Sequence, residues 1–234
     1  WSYTPPTTGG DAVKIVDGTL KVDGGEYTAA YGNGILVSNG TATVNGGTFK
    51  GQDPRRINGG FYTGAGGNYG LKVLGGYAIV NGGTFIDWVL DDDGNRVSGG
   101  GGGVFIMGEN ANTPQTQIIS ATINVNGATA VSVWEYANVK FGVTNTDNTD
   151  EINSQLIVRG ASTGLAVETT STEGRQTIVI NSGKFTGQGS GNDQNGIWYG
   201  NQATMKINGG EFIGGTSGLF FRVNQWTNDT SSGT

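Results

Sequence analysis

The chain contains no cysteine and no histidine among its 234 residues. This absence excludes disulfides, thiol nucleophiles, serine–histidine and cysteine–histidine catalytic pairs, and metal sites built on cysteine or histidine. Any catalytic step would therefore have to use carboxylates, lysine, arginine or tyrosine.

Charge is scarce as well. Charged residues make up 14% of the chain, and the net charge is −6. Arg55 and Arg56 form the only adjacent pair of basic residues, so we expect no nucleic-acid partner. No run of about 18 apolar residues exists, which predicts that nothing spans a membrane. An acidic surface with many uncharged polar residues is typical of extracellular proteins, and we expect an extracellular or cell-surface location.

Glycine is abundant, with 45 residues, and much of it lies in a recurring corner. Each copy is a short alternating strand, then a Gly-Gly or Ser-Gly pair, and an aromatic residue two positions after the second glycine. The five copies are Lys21–Tyr27, Thr41–Phe49, Val80–Phe85, Ile180–Phe185 and Ile207–Phe212. A unit repeated at intervals of about 20–50 residues indicates a solenoid.

A second pattern is an apolar–any–apolar triplet, usually preceded by glycine. Its copies are Val13–Ile15, Ile35–Val37, Leu71–Val73, Val104–Ile106, Val131–Val133, Leu165–Val167, Ile197–Tyr199 and Leu219–Phe221. The triplet begins nine residues before the last valine of the corner strand in three copies, as in Val13 and Val22. This fixed spacing indicates that the triplet and the corner belong to one coil.

These patterns predict an all-β fold, a single-stranded right-handed parallel β-helix of about eight coils with inserted loops. Residues 11–223 form the predicted β-solenoid domain, residues 1–10 an extended leader or linker, and residues 224–234 a C-terminal tail. In the less regular middle, Ile123–Ala128 and Leu156–Ala161 are interpreted as degenerate corners with alanine in place of phenylalanine.

Strand alternation makes the middle residues of the triplets the best candidates for a binding surface. If the first and third residues face inward, the middle ones stack in one outward column with Lys14, Lys72 and Ser132. The apolar members are Leu36, Phe105, Ala166, Trp198 and Phe220. A contiguous apolar patch predicts a protein interface, a sugar-stacking surface, or a face covered by an inserted loop.

Other candidates lie in or beside turns. Trp88, Trp134, Tyr136 and Trp226 are aromatic residues that could bind glycans. Asp91, Asp92 and Asp93 could hold calcium through carboxylate oxygens, although their spacing is that of a solvated turn and not of a known calcium loop. No other cofactor and no other metal is expected. Asn39 and Asn228 fit the N-glycosylation acceptor pattern.

The Asn-Gly-Gly-Thr-Phe corners and the glycine-led triplets resemble those of pectate-lyase-like parallel β-helices. More narrowly, they resemble the repeat-rich β-helical regions of secreted or surface adhesins, over roughly Asp11 to Phe221. Lyases of this family use aspartate-bound calcium with an arginine or lysine base, and hydrolases on the fold use clustered aspartates. The resemblance therefore implies either a non-catalytic surface protein or a polysaccharide-cleaving enzyme.

The sequence favours a non-enzymatic extracellular β-solenoid with a structural, self-assembling or adhesive role. Its expected partners are further copies, further domains of a longer chain, or surface glycans. A polysaccharide lyase or glycoside hydrolase is the alternative. It ranks second because the expected enzyme motifs cannot be placed on consecutive coils. Ice binding comes third, since it needs a regular ladder of threonine on a flat face.

Overall fold

A computed structural model describes residues 10–29, 32–52, 56–57, 60–61, 68–88, 102–125, 129–143, 156–168, 175–188, 194–200 and 203–221. In this part of the chain the secondary structure is all β, and no helix is long and apolar enough to cross a membrane. Three parallel sheets contain nearly all of the strands. A separate antiparallel pair joins β7 (Arg56–Ile57) to β8 (Gly60–Phe61).

Sheet one is built from the triplets and has eight strands. They are β1 (Val13–Ile15), β4 (Ile35–Ser38), β9 (Tyr69–Leu74), β12 (Gly102–Met107), β15 (Thr129–Trp134), β18 (Thr163–Val167), β21 (Asn195–Tyr199) and β24 (Ser217–Phe221). Sheet two has seven strands: β2 (Thr19–Val22), β5 (Thr41–Val44), β10 (Tyr77–Val80), β13 (Thr116–Ile118), β16 (Asn138–Phe141), β19 (Thr177–Ile180) and β22 (Thr204–Ile207).

Sheet three also has seven strands and carries the residues after each corner. They are β3 (Glu26–Thr28), β6 (Thr48–Gln52), β11 (Thr84–Trp88), β14 (Ala121–Asn124), β17 (Leu156–Gly160), β20 (Lys184–Gly187) and β23 (Glu211–Gly214). The chain visits the sheets in the order one, two, three, so that each strand pairs with its counterpart one coil later. Seven complete coils and the first strand of an eighth result, which confirms the predicted parallel β-solenoid.

The glycine corners exist because the backbone turns there in a way that side chains oppose. The second glycine of each corner has a φ between +107° and +126°, at Gly25, Gly47, Gly83, Gly183 and Gly210. Only glycine adopts such a conformation at little cost. This turn aims the next residue but one inward, so the aromatic residue enters the core.

The core is a set of residue columns that run along the solenoid axis. Phe49, Phe85 and Phe185 are completely buried at equivalent positions of sheet three. The Phe49 ring stacks on the rings of Tyr27 and Phe85, with 5.1 Å between centroids in both cases. Burial of each such side chain contributes roughly 1.5–3 kcal/mol. A chain with this much glycine depends on these columns to offset the entropy of ordering.

In the middle of the chain, the interpretation of Ile123–Ala128 and Leu156–Ala161 as degenerate corners is wrong by one strand. Ile123 aligns with Phe85, and Val158 aligns with Phe185, so these segments belong to sheet three and not to sheet two. The missing aromatic ring of the fifth coil comes instead from Phe141 in sheet two, which meets Phe185 edge-on at 5.6 Å. The core requires a certain apolar volume in each coil, and either sheet can supply it.

A polar ladder follows sheet two at the corner. Asn45 donates a hydrogen bond to Asp23 at 2.6 Å, and Asn81 donates to Asn45 at 2.8 Å. The hydrogen bond from Asn45, and then the contact with Lys21, hold the pKa of Asp23 below its usual value. The ladder resumes where Asn208 donates to Asn181 at 2.7 Å. The two coils between these segments place Ile119 and Gly142 at the ladder position.

Small residues precede the triplets because sheets one and three meet closely there. A Cβ atom on Gly34 would lie 2.9 Å from the Cβ of Phe49, and one on Gly70 would lie 2.9 Å from the Cβ of Phe85. A larger residue would push the two sheets apart. At Gly34 and Gly70 the absence of a side chain is therefore a packing requirement.

The first corner supplies a matched pair of substitutions. Gly25→Ala should destabilise the fold by about 1–3 kcal/mol, because Gly25 has a φ of +107°. Gly24→Ala should be neutral or slightly stabilising, since a Cβ atom there would meet nothing within 4 Å. Urea unfolding followed by circular dichroism measures both. Equal destabilisation by the two variants would contradict the explanation of the corner.

A second prediction concerns the fifth coil, where the aromatic ring lies in sheet two at Phe141 and the smaller Val158 takes the position in sheet three. Phe141→Val should cost somewhat less than the roughly 3–5 kcal/mol of a buried Phe→Ala change, and Val158→Phe should cost about 1–3 kcal/mol through overpacking. The double variant should cost clearly less than the sum, because the volume of the coil is restored. Additive losses in chemical unfolding would show that the two positions do not share one space.

Candidate functional site

The outer face of sheet one carries the predicted column in exact register. Lys14 pairs with Leu36, Leu36 with Lys72, and Lys72 with Phe105. The remaining pairings continue the column through Ser132, Ala166, Trp198 and Phe220. The middle residues of all eight triplets therefore follow one line along the solenoid.

The column is not a uniformly exposed stripe. Ala166 is only 3% exposed, whereas Phe220 at the last strand is 39% exposed. Leu36, Phe105 and Trp198 are half-buried. The apolar residues of the column are therefore covered in its middle and exposed at its last strand.

The most structured part of this face is an aromatic cluster formed by Tyr69, Phe105 and Trp134. The centroid of the Phe105 ring lies 5.1 Å from that of Tyr69 and 5.8 Å from that of Trp134, with interplanar angles of 40° and 44°. The three residues come from β9, β12 and β15, which are consecutive strands of sheet one. The cluster therefore spans three coils.

Sequence reasoning found only part of the cluster. Phe105 was predicted in the outward column, and Trp134 was predicted as a loop aromatic, but Trp134 is the last residue of strand β15. Tyr69 was missed because it precedes its triplet by two residues. The pair Gly102–Gly103 in the next coil was the available signal, since a glycine beside a strand marks close approach by another group.

Gly102 makes room for the cluster. Its position aligns with Tyr69 one coil earlier. A Cβ atom on Gly102 would lie 2.9 Å and 3.0 Å from two carbon atoms of the Tyr69 ring. The ring of Tyr69 therefore lies across the backbone of the next coil, where it reaches Phe105.

Lys72 and Glu168 bring ionisable groups to the same face. The Nζ atom of Lys72 lies 5.4 Å from the centroid of Phe105 and 5.8 Å from that of Tyr69. Burial lowers the pKa of Lys72 and raises that of Glu168. Burial, and then the charge of Glu168, raise the pKa of Tyr69 to about 12. An aromatic surface with a partly desolvated cation and carboxyl group can make both apolar and hydrogen-bonded contacts.

The other sequence-predicted residues do not join this cluster. Tyr136 is half-buried in the turn after β15 and has a φ of +52°. Asn39 is exposed in the turn between β4 and β5, with a φ of +58°. Trp88 ends strand β11, and the structure describes only its backbone. Three sets lie outside the described residues and stay predictions, namely Trp226, Asn228 and the Asp91–Asp93 cluster.

Several carboxylates on the described surface pair with neighbouring side chains. Glu26 pairs with Lys50, and Glu211 pairs with Lys184 at 3.0 Å, in each case across adjacent coils of sheet three. Lys21 contacts Asp23 at 3.0 Å. Within the described ranges, no three acidic side chains converge to form a cation site.

Comparison with protein-family models, with curated proteins and with solved structures finds no match. The resemblance to pectate-lyase-like repeats therefore remains a prediction from the sequence, whereas the parallel β-solenoid itself is seen in the coil register.

The half-buried carboxyl of Glu168 makes the stability of the fold depend on pH. Because its pKa is raised in the folded protein, its contribution to stability is fully present below the unfolded pKa and is lost as the pH rises through the folded value. Glu168→Gln should therefore stabilise the fold at neutral pH and have little effect at pH 3. Thermal unfolding at several pH values measures this, with exposed Glu109→Gln as the control. A stabilisation by Glu168→Gln that is independent of pH would contradict the prediction.

Proposed function

We propose that this chain is a non-enzymatic extracellular β-solenoid with a structural and adhesive role, and that it binds surface glycans through the outer face of sheet one. The observation that carries the proposal is the aromatic cluster of Tyr69, Phe105 and Trp134, with Lys72 beside two of its rings. The long parallel sheet provides a rigid support for this cluster, as binding surfaces require.

The chemistry of the cluster suits a saccharide. The faces of pyranose rings present C–H groups that pack on aromatic rings, while their hydroxyls need hydrogen-bond partners. Lys72 offers donors, and Glu168 on the same face offers a carboxyl group. The rings come from three coils at strand spacing, which gives a platform about 10 Å long, enough for more than one sugar ring.

The pairing of three of the described carboxylates favours binding over cleavage. Glycoside hydrolysis needs two carboxyl groups facing one bond. Asp23, Glu26 and Glu211 instead take part in hydrogen bonds or ion pairs between neighbouring side chains. The alternative of a polysaccharide lyase rests on Lys72, whose pKa is lowered by burial, as a base requires.

Ice binding is the third option and has the least support. Thr48, Thr84 and Thr122 form a short threonine column on sheet three. On sheet two, the pair Thr19 and Thr41 is followed by Tyr77. A regular threonine array across one flat face is therefore not formed by these columns.

The test is titration of the purified chain with neutral and acidic oligosaccharides, followed by tryptophan fluorescence and calorimetry. Trp134→Ala should weaken binding about tenfold or more, because it removes one face of the platform. Trp198→Ala is the matched control, since Trp198 lies on the same face two coils further along. It should leave the affinity nearly unchanged.

Three outcomes decide between the candidates. Binding that depends on Trp134 without cleavage of the saccharide supports the proposal. Release of unsaturated non-reducing ends, abolished by Lys72→Met, would replace it with the lyase alternative. An equal loss of affinity in the Trp134 and Trp198 variants, or no binding across a broad glycan panel, would contradict the aromatic cluster as the binding site.

A further inference from the structure

Asn33 is a buried polar residue beside the strand that carries Tyr69. It is 7% exposed and lies two residues before the triplet of β4, just as Tyr69 lies two residues before the triplet of β9. Burial of an amide is costly unless both its oxygen and its nitrogen find hydrogen-bond partners. The partners of Asn33 therefore show what its side chain does in this fold.

The side chain of Asn33 links the first coil to the third. Its Nδ2 atom donates a hydrogen bond to Oδ1 of Asp11 at 2.7 Å, and its backbone N–H donates to the same oxygen at 2.9 Å. Its Oδ1 atom accepts a hydrogen bond from the backbone N–H of Tyr69 at 3.0 Å. Asp11, Asn33 and Tyr69 precede or begin β1, β4 and β9, so they form a hydrogen-bonded chain across three consecutive coils.

This chain allows the amide of Asn33 only one orientation. A reversed amide would set Nδ2 against the N–H of Tyr69 and Oδ1 against the carboxylate of Asp11, and neither pair can form a hydrogen bond. Hydrogen bonds to a carboxylate are charge-assisted and stronger than those between neutral groups. Asp11 therefore orients Asn33, and Asn33 presents its oxygen to Tyr69.

The second coil fixes the backbone from which the Tyr69 ring projects. The N–H of Tyr69 is bonded to Asn33, and its carbonyl accepts a hydrogen bond from the N–H of Gly34 at 2.9 Å. Gly102 leaves room for the ring, since a Cβ atom there would lie 2.9 Å from a ring carbon, but it offers no side chain to hold the ring. The backbone anchor therefore decides where the ring meets Phe105, at 5.1 Å between centroids.

We propose that Asn33 is a positioning residue for the aromatic cluster: oriented by Asp11, it fixes the backbone of Tyr69 and so places the Tyr69 ring against Phe105. It acts through Tyr69 and is too buried to be a contact surface for a saccharide itself. Its effect on binding rests on the saccharide function proposed for the cluster, whereas its effect on the ring does not. The first coil, which supplies Asp11, is thereby part of the support of a site on coils three to five.

An exchange of the two side chains tests this chain of hydrogen bonds. Asn33→Asp should place a second carboxylate against that of Asp11 and displace the backbone of Tyr69. Asp11→Asn combined with Asn33→Asp should restore the position, because the amide and the carboxylate have then changed places and still form a donor–acceptor pair. Asn45→Asp is the matched control, since Asn45 donates to Asp23 of the preceding coil at 2.6 Å, at the corner after β5.

Two measurements separate the position of the ring from binding. Fluorine NMR of the chain labelled with fluorotyrosine, with the Tyr69 signal assigned through Tyr69→Phe, reports the surroundings of the ring without any saccharide. Asn33→Asp should shift this signal, the exchange should return it, and Asn45→Asp should leave it unchanged. In titrations with neutral and acidic oligosaccharides, Asn33→Asp should weaken binding by about two- to tenfold, the equivalent of one buried hydrogen bond.

A double-mutant cycle with Tyr69→Ala distinguishes positioning from a general loss of stability. In that background Asn33→Asp should not change the affinity any further, because the residue acts only through the ring. Asp11→Ala is the milder variant if Asn33→Asp does not fold. It removes the group that orients Asn33, and it should shift the Tyr69 signal in the same labelled chain.

The outcomes separate this proposal from the proposed function. A less stable Asn33→Asp variant that keeps both the Tyr69 signal and the affinity would overturn it, as would additive losses in the cycle or an equal shift in Asn45→Asp. Failure of the exchange to return the signal would contradict the hydrogen-bonded chain as the cause. A shifted signal in a chain that binds no saccharide would support Asn33 as the positioning residue and refute only the saccharide function.

Discussion

Parallel pairing between successive coils is the constraint on which the rest of this structure depends. Each strand forms backbone hydrogen bonds with its counterpart one coil later, as Val13–Ile15 does with Ile35–Val37. Coils must therefore stack at a spacing of about 4.8 Å. Every coil must fit nearly the same cross-section, and a residue at one position must be compatible with the residues directly above and below it.

This constraint explains both the glycines and the aromatic residues. The repeated cross-section is turned at five corners by a glycine with a φ between +107° and +126°, such as Gly47 and Gly83. It also demands close contact between sheets one and three, which leaves no room for a side chain at Gly34 or Gly70. Aromatic rings then stack in register because equivalent positions lie directly over one another.

The constraint acts on the volume of each coil more than on the identity of each residue. In the fourth coil, Ile118 and Ile123 occupy the two inward positions that Val80 and Phe85 fill in the third. In the fifth coil, Phe141 and Val158 fill them in reverse order of size. Substitution of this kind keeps the core continuous while it removes the repeated sequence signature.

Outward positions are released from this constraint and are free to differ from coil to coil. The column that begins with Lys14 and Leu36 alternates between charged, polar, apolar and aromatic residues. A binding surface can therefore be built on a few coils without disturbing the others. The aromatic cluster occupies three coils and includes Tyr69, a residue outside the repeat pattern.

Local sequence patterns predict the fold class, the number of coils, the pairing of triplets with corners, and the alignment of the outward column. These features follow from short-range patterns, because φ preferences and strand alternation act over a few residues. The strand assignment near Ile123 and Val158 becomes clear only in the folded protein, because the core volume there is shared between sheets. Contacts between coils also set how Tyr69 crosses Gly102 to reach Phe105. Such features depend on contacts between coils that are distant in sequence, and no local pattern encodes them.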